Sequence, residues 1–179
     1  MSYKIARKAV FYLFVSFSSF HLSNVISLIS LSFKQKIHAE CIAALRVKTL
    51  RQQKIIQDAQ QAAADDTKSS AGDKFETSRE MMKQEIQKAQ QQMAIYEKME
   101  EVLMQISLKE VQDQVGLGSL IQTDEGLYYF SVSLGQLQVE GQKVFILSMA
   151  SPFGKNLYGK TKGEGMDFRG RKILIEEIL

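Results

Sequence analysis

A short, polar and acidic segment divides the middle of the chain: Asp65-Asp66-Thr67-Lys68-Ser69-Ser70-Ala71-Gly72-Asp73-Lys74-Phe75-Glu76. On either side of it, residues 34–64 and 77–115 contain neither Gly nor Pro and are rich in Gln, Lys, Glu, Ala and Met. Gly72 is the only Gly or Pro between Phe33 and Val115. Because Gly and Pro are the strongest local breakers of a helix, this pattern predicts two long helices joined at residues 65–76 by a tight polar tip.

Both arms carry an apolar stripe at helical spacing. The stripe of the second arm steps by three or four residues through Met82, Ile86, Ala89, Met93, Tyr96, Met99, Leu103 and Ile106. The stripe of the first arm is less regular and comprises Phe33, Ile37, Cys41, Ala44, Leu45, Ile55, Ile56, Ala59 and Ala63. Since neither helix can bury its stripe alone, we expect residues 33–115 to fold as an antiparallel hairpin. A plain dimerisation coiled coil would give the same pattern.

From residue 116 the pattern changes to that of β-strands. Strands are expected over residues 118–123, 127–133, 137–139, 143–149 and 172–179, separated by turns that contain Gly. One helical turn is expected over residues 151–159, with Ser151 as N-cap, Pro152 in the first helical position and Gly159 at the end. The sequence therefore predicts an α+β protein, in which the helical hairpin precedes a small β domain at 116–179 with one short helix. Gly116-Leu117-Gly118 is expected to be a hinge between them.

Residues 1–32 form an apolar extension that carries Lys4, Arg7 and Lys8 and no acid. Three interpretations are open: a membrane anchor at residues 9–32, a cleaved secretion signal, or a translation start assigned too far upstream. The remaining residues carry equal numbers of basic and acidic side chains, so the positive net charge of the chain does not indicate nucleic-acid binding by the folded part.

Catalytic motifs are missing from the sequence. It has no Ser/His/Asp arrangement and no Gly-rich phosphate loop after a strand. One Cys and two His leave little material for a zinc site. A basic cluster near the C-terminus could face an acidic partner, nucleic acid or only solvent; it comprises Lys155, Lys160, Lys162, Arg169, Arg171 and Lys172.

One motif carries a resemblance to a known family: Ser151-Pro152-x-Gly154-Lys155-x-Leu157-x-Gly159-Lys160-x-x-Gly163. It resembles the C-terminal signature of the GreA/GreB transcript-cleavage factors, which are also similar in architecture: a helical hairpin precedes a small FKBP-like β domain. The resemblance covers residues 34–179. It implies a cytoplasmic factor that binds bacterial RNA polymerase, inserts its hairpin into the secondary channel and modulates elongation or backtracked complexes. It also implies that the chain is not itself an enzyme, because the polymerase active site cleaves the RNA.

The resemblance also implies site residues. Contact with the polymerase at the channel rim is expected from Ser151, Pro152, Gly154, Lys155, Leu157, Gly159 and Lys160. The residue before Ser151 is often acidic in the family and is Ala150 here. No intrinsic cofactor is expected, and no small-molecule substrate. Nucleic acid would be contacted only indirectly, within the elongation complex.

At the hairpin tip, the family pattern Asp-x-x-Glu-Asn-Ala supplies two carboxylates to a second Mg²⁺ held by the polymerase. Asp66 and Ala71 match this pattern, whereas Ser69 stands where the Glu belongs and Ser70 replaces the Asn. A hydroxyl is a poorer Mg²⁺ ligand than a carboxylate. Asp66 and Asp65 are therefore the candidate metal ligands, and a shifted carboxylate could replace the Glu. The carboxylates available at the tip are Asp65, Asp66, Asp73 and Glu76. A solvated turn without metal is the alternative.

Two other functions stay open. A membrane-anchored coiled-coil adaptor would use residues 9–32 as its anchor and the β domain as an interaction module; contact with a membrane is expected only in that case. A peptidyl-prolyl isomerase is suggested by analogy with the FKBP-like fold alone. Such sites are aromatic pockets, whereas we expect Phe130, Phe145, Phe153 and Tyr158 to form the core.

Overall fold

The computed structural model describes the backbone of residues 3–66, 72–109 and 111–179, and the side chains of residues 31–64, 76–109 and 111–179. Two long helices are followed by a six-stranded mixed sheet and one short helix, so the α+β prediction is confirmed. The elements are α1 (Tyr3–Asp66), α2 (Gly72–Met104), β1 (Leu120–Thr123), β2 (Gly126–Ser131), β3 (Gly135–Val139), β4 (Gln142–Ser148), α3 (Pro152–Leu157), β5 (Gly165–Phe168) and β6 (Arg171–Ile178).

The helices α1 and α2 pack against each other along the two predicted stripes. Every predicted stripe residue in the described part of the chain is buried or half-buried. Between Leu45 and Ile55 the interface continues through polar side chains, because Thr49 and Gln52 are half-buried there. Residues 67–71, which would join the helices, lie outside the described residues. The long-helix prediction is confirmed for both arms.

The sheet has the strand order β3-β4-β2-β1-β6-β5. All neighbouring strands are antiparallel except β2 and β4, which run parallel with Leu127 opposite Val144 and Ser131 opposite Ser148. The five predicted strands are present with ends that differ by a few residues. The sixth, β5, was not predicted; it pairs with β6 as a hairpin, with Phe168 opposite Arg171.

Each face of the sheet has its own core. On the first face, the base of the helical hairpin packs through Ile37, Cys41 and Leu103 against sheet residues that include Tyr129 and Ile146. On the second face, α3 packs over the sheet in a cluster that contains Phe130, Phe153, Leu157, Ile173 and Ile175. Successive residues of β2 alternate between the two cores, as the period of two in a strand requires.

The connection from the hairpin to the sheet is packed, whereas the sequence predicted a hinge. Gly118 has a φ of +85°, and a Cβ added to it would lie 2.6 Å from Cγ2 of Ile106. Its backbone N–H donates to the carbonyl of Phe130 at 2.7 Å. The hairpin base and the sheet also share one core. The domain boundary at residue 116 stays a prediction.

For residues 3–30 of the apolar extension the structure describes only the backbone. The helix α1 includes residues from Tyr3 onward, but the side chains of residues 1–30 lie outside the described part, and with them most of the predicted anchor. Within the described residues, no helix combines the length and the apolar character needed to cross a membrane.

Candidate functional site

The predicted tip is only partly described. Asp65 and Asp66 are the last two residues of α1, and Asp73 lies in the first turn of α2, but their side chains are outside the described residues, as is all of Ser69. The side chain of Glu76 is described and is exposed. In the part of the chain whose side chains are described, no three His, Cys, Asp or Glu residues come together as metal ligands. The metal-ligand roles of Asp65 and Asp66 stay predictions.

The hairpin extends well beyond the sheet. In the core that the hairpin shares with the sheet, Leu45 is the buried α1 residue nearest to the tip. Helix α1 continues beyond it to Asp66. At 1.5 Å per residue this distal part is about 30 Å long. Ala59 and Ala89 are buried between the two helices there, and small side chains allow a close approach of the helices. The result is a narrow rod that carries the tip away from the sheet.

The N-terminus of α3 has the predicted cap. Ser151 has an extended backbone, with φ −65° and ψ 153°, and its Oγ accepts a hydrogen bond from the backbone N–H of Gly154 at 3.0 Å. Pro152 follows in the first turn, where its missing N–H leaves no bond unmade. The prediction of Ser151 as N-cap is confirmed. Pro152 is exposed on the surface, whereas Ser151 is half-buried.

Several residues of the motif are structural. A Cβ on Gly154 would lie 2.5 Å from the carbonyl oxygen of Ser148, so only Gly lets α3 approach the end of β4. The side chain of Leu157 is fully buried. Gly159 has a φ of +74° and donates its N–H to the carbonyl of Val115 at 2.9 Å. These residues set the position of α3 and the turn that follows it.

The motif offers three side chains for direct contact. Pro152 and Lys155 are exposed, and Lys160 is half-buried. Ser151 is half-buried too, but its Oγ is engaged in the cap. The roles of these residues in binding stay predictions.

A buried polar network ties the hairpin base to the sheet. The hydroxyl of Tyr129 and Nδ1 of His38 share a hydrogen bond of 2.9 Å, and both side chains are buried. One turn earlier on α1, Nζ of the buried Lys34 donates to the backbone oxygen of Leu179 at 3.0 Å. Burial, and then the charge of Lys34, lower the pKa of His38 from its ordinary value of 6.5. His38 is therefore a neutral group in the folded protein at neutral pH.

The same interface contains the single cysteine. Cys41 is free and fully buried. Burial raises the pKa of its thiol to about 12, and the nearby hydroxyl of Ser131 partly offsets that rise. Since the thiolate is the reactive form, Cys41 is inert while the hairpin base stays packed on the sheet.

Sequence reasoning did not find the network, although one signal was available. Lys34 and His38 lie four residues apart on the same side of α1 as Ile37 and Cys41. That spacing places both polar side chains at the edge of the apolar stripe. The sequence did not identify their partners, because Tyr129 and Leu179 are brought to them only by the tertiary fold.

An open cleft lies on the second face of the sheet, and we name it the aromatic cleft. It has a volume of about 560 Å³. Tyr128 stacks with Phe145 at 5.4 Å and with Phe153 at 4.7 Å between ring centroids, and Phe168 meets Phe153 edge-on at 5.1 Å. Glu125, Arg169 and Arg171 also line the cleft, and we call the part that they form its rim.

The sequence predicted four aromatic residues to be core. Phe130 and Phe153 are buried, which confirms that prediction for them. Phe145 is half-buried and lines the aromatic cleft. The prediction is wrong for Tyr158, which is 69% exposed. The short helix α3 ends at Leu157, and the chain then turns toward Val115, which leaves the ring of Tyr158 outside the core.

The basic cluster is only partly neutralised. Lys162 pairs with Glu177, and Arg171 pairs with Glu125 at 3.5 Å. The guanidinium carbon of Arg169 lies 5.4 Å from the centroid of the Phe168 ring. No carboxylate of the described residues lies within ion-pair distance of Lys155, Lys160 or Lys172, so the cluster keeps a positive excess.

No protein-family model matches the chain, and no curated protein matches it.

Proposed function

We infer that the chain is a Gre-like factor that binds bacterial RNA polymerase through its β domain and inserts the hairpin into the secondary channel. The observation that carries this proposal is the rod. Its distal part extends about 30 Å beyond the core shared with the sheet, at 1.5 Å per residue. A polar rod with acidic residues at its end suits a narrow channel that leads to a metal-containing active site.

The β domain supports the same proposal. We assign it the FKBP-like fold of the GreA/GreB family on the resemblance of the α3 motif, together with a mixed sheet that carries one short helix across a face. The expected docking contacts at the channel rim are Pro152, Lys155 and Lys160. Ser151, Gly154, Leu157 and Gly159 would act in docking by fixing the shape of α3.

In this proposal the polymerase supplies the catalytic chemistry. Its second Mg²⁺ would stabilise the attacking and leaving oxygens of the RNA, and carboxylates at the tip would help to hold the ion. Asp66, with Asp65 beside it, would provide oxygen ligands of the kind Mg²⁺ prefers. Because Ser69 brings no charge, we expect weaker cleavage stimulation than a complete acidic pair would give.

Docking is tested by the affinity of the full chain for core RNA polymerase, measured by biolayer interferometry. The Lys155→Glu variant reverses a charge on the proposed docking surface and should bind at least about tenfold more weakly, a change of about 1.4 kcal/mol. Lys143→Glu is the matched control, because Lys143 is also exposed but lies at the opposite end of β4 from α3. No binding of the unchanged chain, together with its recovery in membranes, would favour the anchored adaptor.

The tip is tested by RNA cleavage in stalled elongation complexes. Asp66→Ala should reduce stimulated cleavage without a change in affinity for the polymerase. Asp58→Ala is the matched control, because Asp58 is an acid on the same helix that pairs with Lys54 at 3.6 Å. Equal cleavage by all three proteins would remove Asp66 from the chemistry and leave the docking proposal standing.

A further inference from the structure

We propose that the aromatic cleft is a binding site for a nucleotide unit of single-stranded RNA, in which a base stacks on aromatic side chains and a phosphate contacts arginine. The cleft lies on the face of the sheet opposite the hairpin. The site is therefore separate from the tip, and the proposal does not depend on polymerase binding.

The walls of the cleft include aromatic rings that remain partly exposed to solvent. Phe145 and Phe168 are only half-buried, although each contacts another ring. Tyr128 and Phe153 lie behind them and hold them in place, since both are buried and stack with an interplanar angle of 27°. Exposed rings on a rigid support are what base stacking requires, and stacking accepts every base because each has a π-face.

Three charged side chains line the cleft beside those rings: the two cations Arg169 and Arg171 and one carboxylate, Glu125, so the excess charge is positive. Among the described residues no carboxylate lies within ion-pair distance of Arg169, whose guanidinium stays over the ring of Phe168. Arg171 lines the cleft and has only the 3.5 Å contact with Glu125, in which the arginine side chain is largely exposed. A phosphate could take both guanidinium groups as donors, because the fork of an arginine matches phosphate oxygens.

The turn at Arg169 fixes where its side chain leaves the backbone. Arg169 and Gly170 form the two-residue turn between β5 and β6, with φ values of 53° and 78°. Such a turn favours Asn or Gly in its first position, because other residues resist a positive φ. Glu140 takes the same position, with a φ of 50°, in the turn between β3 and β4, so the conformation alone does not indicate a ligand. What the turn does is hold the side chain of Arg169 beside the aromatic cleft.

The cleft volume of about 560 Å³ can hold a base and its sugar, while the phosphate stays at the rim. An isolated anion would not stack on the rings, and an uncharged aromatic ligand would form no ion pair with the arginines. Proteins that bind single-stranded nucleic acid combine aromatic side chains that stack on the bases with arginines that contact the phosphate backbone. A free mononucleotide has the same chemistry, so the test includes both forms.

The test uses the full chain labelled with ¹⁵N and titrated with hexauridylate, UMP, uridine and inorganic phosphate. We expect hexauridylate and UMP to shift the backbone amide signals of Phe145 and Phe168, and uridine or phosphate alone to bind at least about tenfold more weakly than UMP. Much tighter binding of hexauridylate than of UMP would identify an RNA strand as the ligand; equal binding would identify a free nucleotide.

Three variants complete the test by fluorescence anisotropy with labelled hexauridylate. Arg169→Asn suits the turn better but removes the charge, so it should fold at least as stably and bind about tenfold more weakly. It should also flatten the plot of log affinity against log salt by about 0.7, the value for one phosphate contact on a single strand. Phe145→Leu should weaken binding to a similar degree. Lys48→Gln, which removes an exposed charge on the hairpin, should leave binding unchanged.

Four results would overturn the proposal. They are the absence of shifts at the cleft with either nucleotide, equal binding of phosphate and UMP, full binding by Arg169→Asn, and binding of an acidic peptide that contains phenylalanine when neither nucleotide binds. The last result would identify the cleft as a protein-docking site. Since none of these measurements contains polymerase, their failure would leave the proposed function untouched.

Discussion

Replacement of Gly154 by alanine tests whether the family-like motif acts through the shape of α3. The new methyl group would lie 2.5 Å from the carbonyl oxygen of Ser148 and within 3.0 Å of two backbone atoms of Met149. Backbone atoms cannot turn away as the end of a flexible side chain can. Helix α3 must therefore move off the end of β4, which loosens the packing of the buried Phe153 and Leu157.

The magnitude follows from two opposing terms. Forcing an extra methyl group into a packed site typically costs about 1–3 kcal/mol, and the upper part of that range applies here because three backbone atoms are involved. The better helix propensity of alanine returns up to about 1 kcal/mol. We therefore expect Gly154→Ala to lower the free energy of unfolding by about 2 kcal/mol, or Tm by about 4–8 °C for a chain of this size.

Urea unfolding followed by circular dichroism measures this loss. Gly116→Ala is the matched control: Gly116 has an ordinary φ, and its added methyl would only touch the side chain of Gln112 at 3.5 Å. The control should stay within about 0.5 kcal/mol of the unchanged chain. A Gly154→Ala variant as stable as the control would refute the close approach of α3 to β4.

Further predictions concern the cap and the hairpin base. Ser151→Ala removes the bond to the Gly154 N–H and should lower the free energy of unfolding by about 1 kcal/mol, whereas Ser151→Asp should restore it. The pKa of His38 is lower in the folded protein than its ordinary value of 6.5, so protonation of His38 opposes folding. The free energy of unfolding should therefore be at its full value above pH 6.5. Below pH 6.5 it should fall by at most about 1.4 kcal/mol per pH unit. Urea midpoints between pH 7.5 and 5 measure this, and an identical pH profile in His38→Gln would contradict it. Cys41, with a thiol pKa raised to about 12, should not react with a thiol reagent at pH 8 until denaturant is added; rapid labelling of the native chain would show that the hairpin base separates from the sheet.

The hairpin was predictable because its signal is long and repeated. Eight positions of the second stripe, from Met82 to Ile106, agree on one helix face, and each is buried or half-buried in the structure. The cap at Ser151 was predictable for a different reason. Its hydrogen bond is local and depends on a residue only three positions away.

The failures have local causes too. Strand β5 has four residues, of which Gly165 and Asp167 are exposed, so it lacks the length that an alternating pattern needs. Gly116 and Gly118 suggested a hinge, yet Gly118 is required by the close approach of Ile106, which no sequence pattern reports. The prediction that Tyr158 is a core residue rests on residue type alone and takes no account of where α3 ends.

The α3 motif and the aromatic cleft differ in how far the sequence alone reveals them. The motif at α3 is a continuous run of sequence, so it could be found and its cap predicted. The aromatic cleft combines Tyr128 from β2, Phe145 from β4, Phe153 from α3 and Phe168 from β5. These residues become neighbours only through the strand order, in which β4 pairs with β2 in parallel and β5 is at the edge.

Site-specific photo-cross-linking is the sharpest test of the proposed tip-first entry of the hairpin into the polymerase. A benzophenone amino acid is placed at position 69 in the tip, at position 155 beside α3, or at position 143 as a control, and stalled elongation complexes are irradiated. If the tip enters first, we expect cross-links from position 69 to the active-site region or the RNA 3′ end, cross-links from position 155 to the outer surface of the polymerase, and none from position 143. Cross-links from position 155 without any from position 69, or none from either, would contradict it.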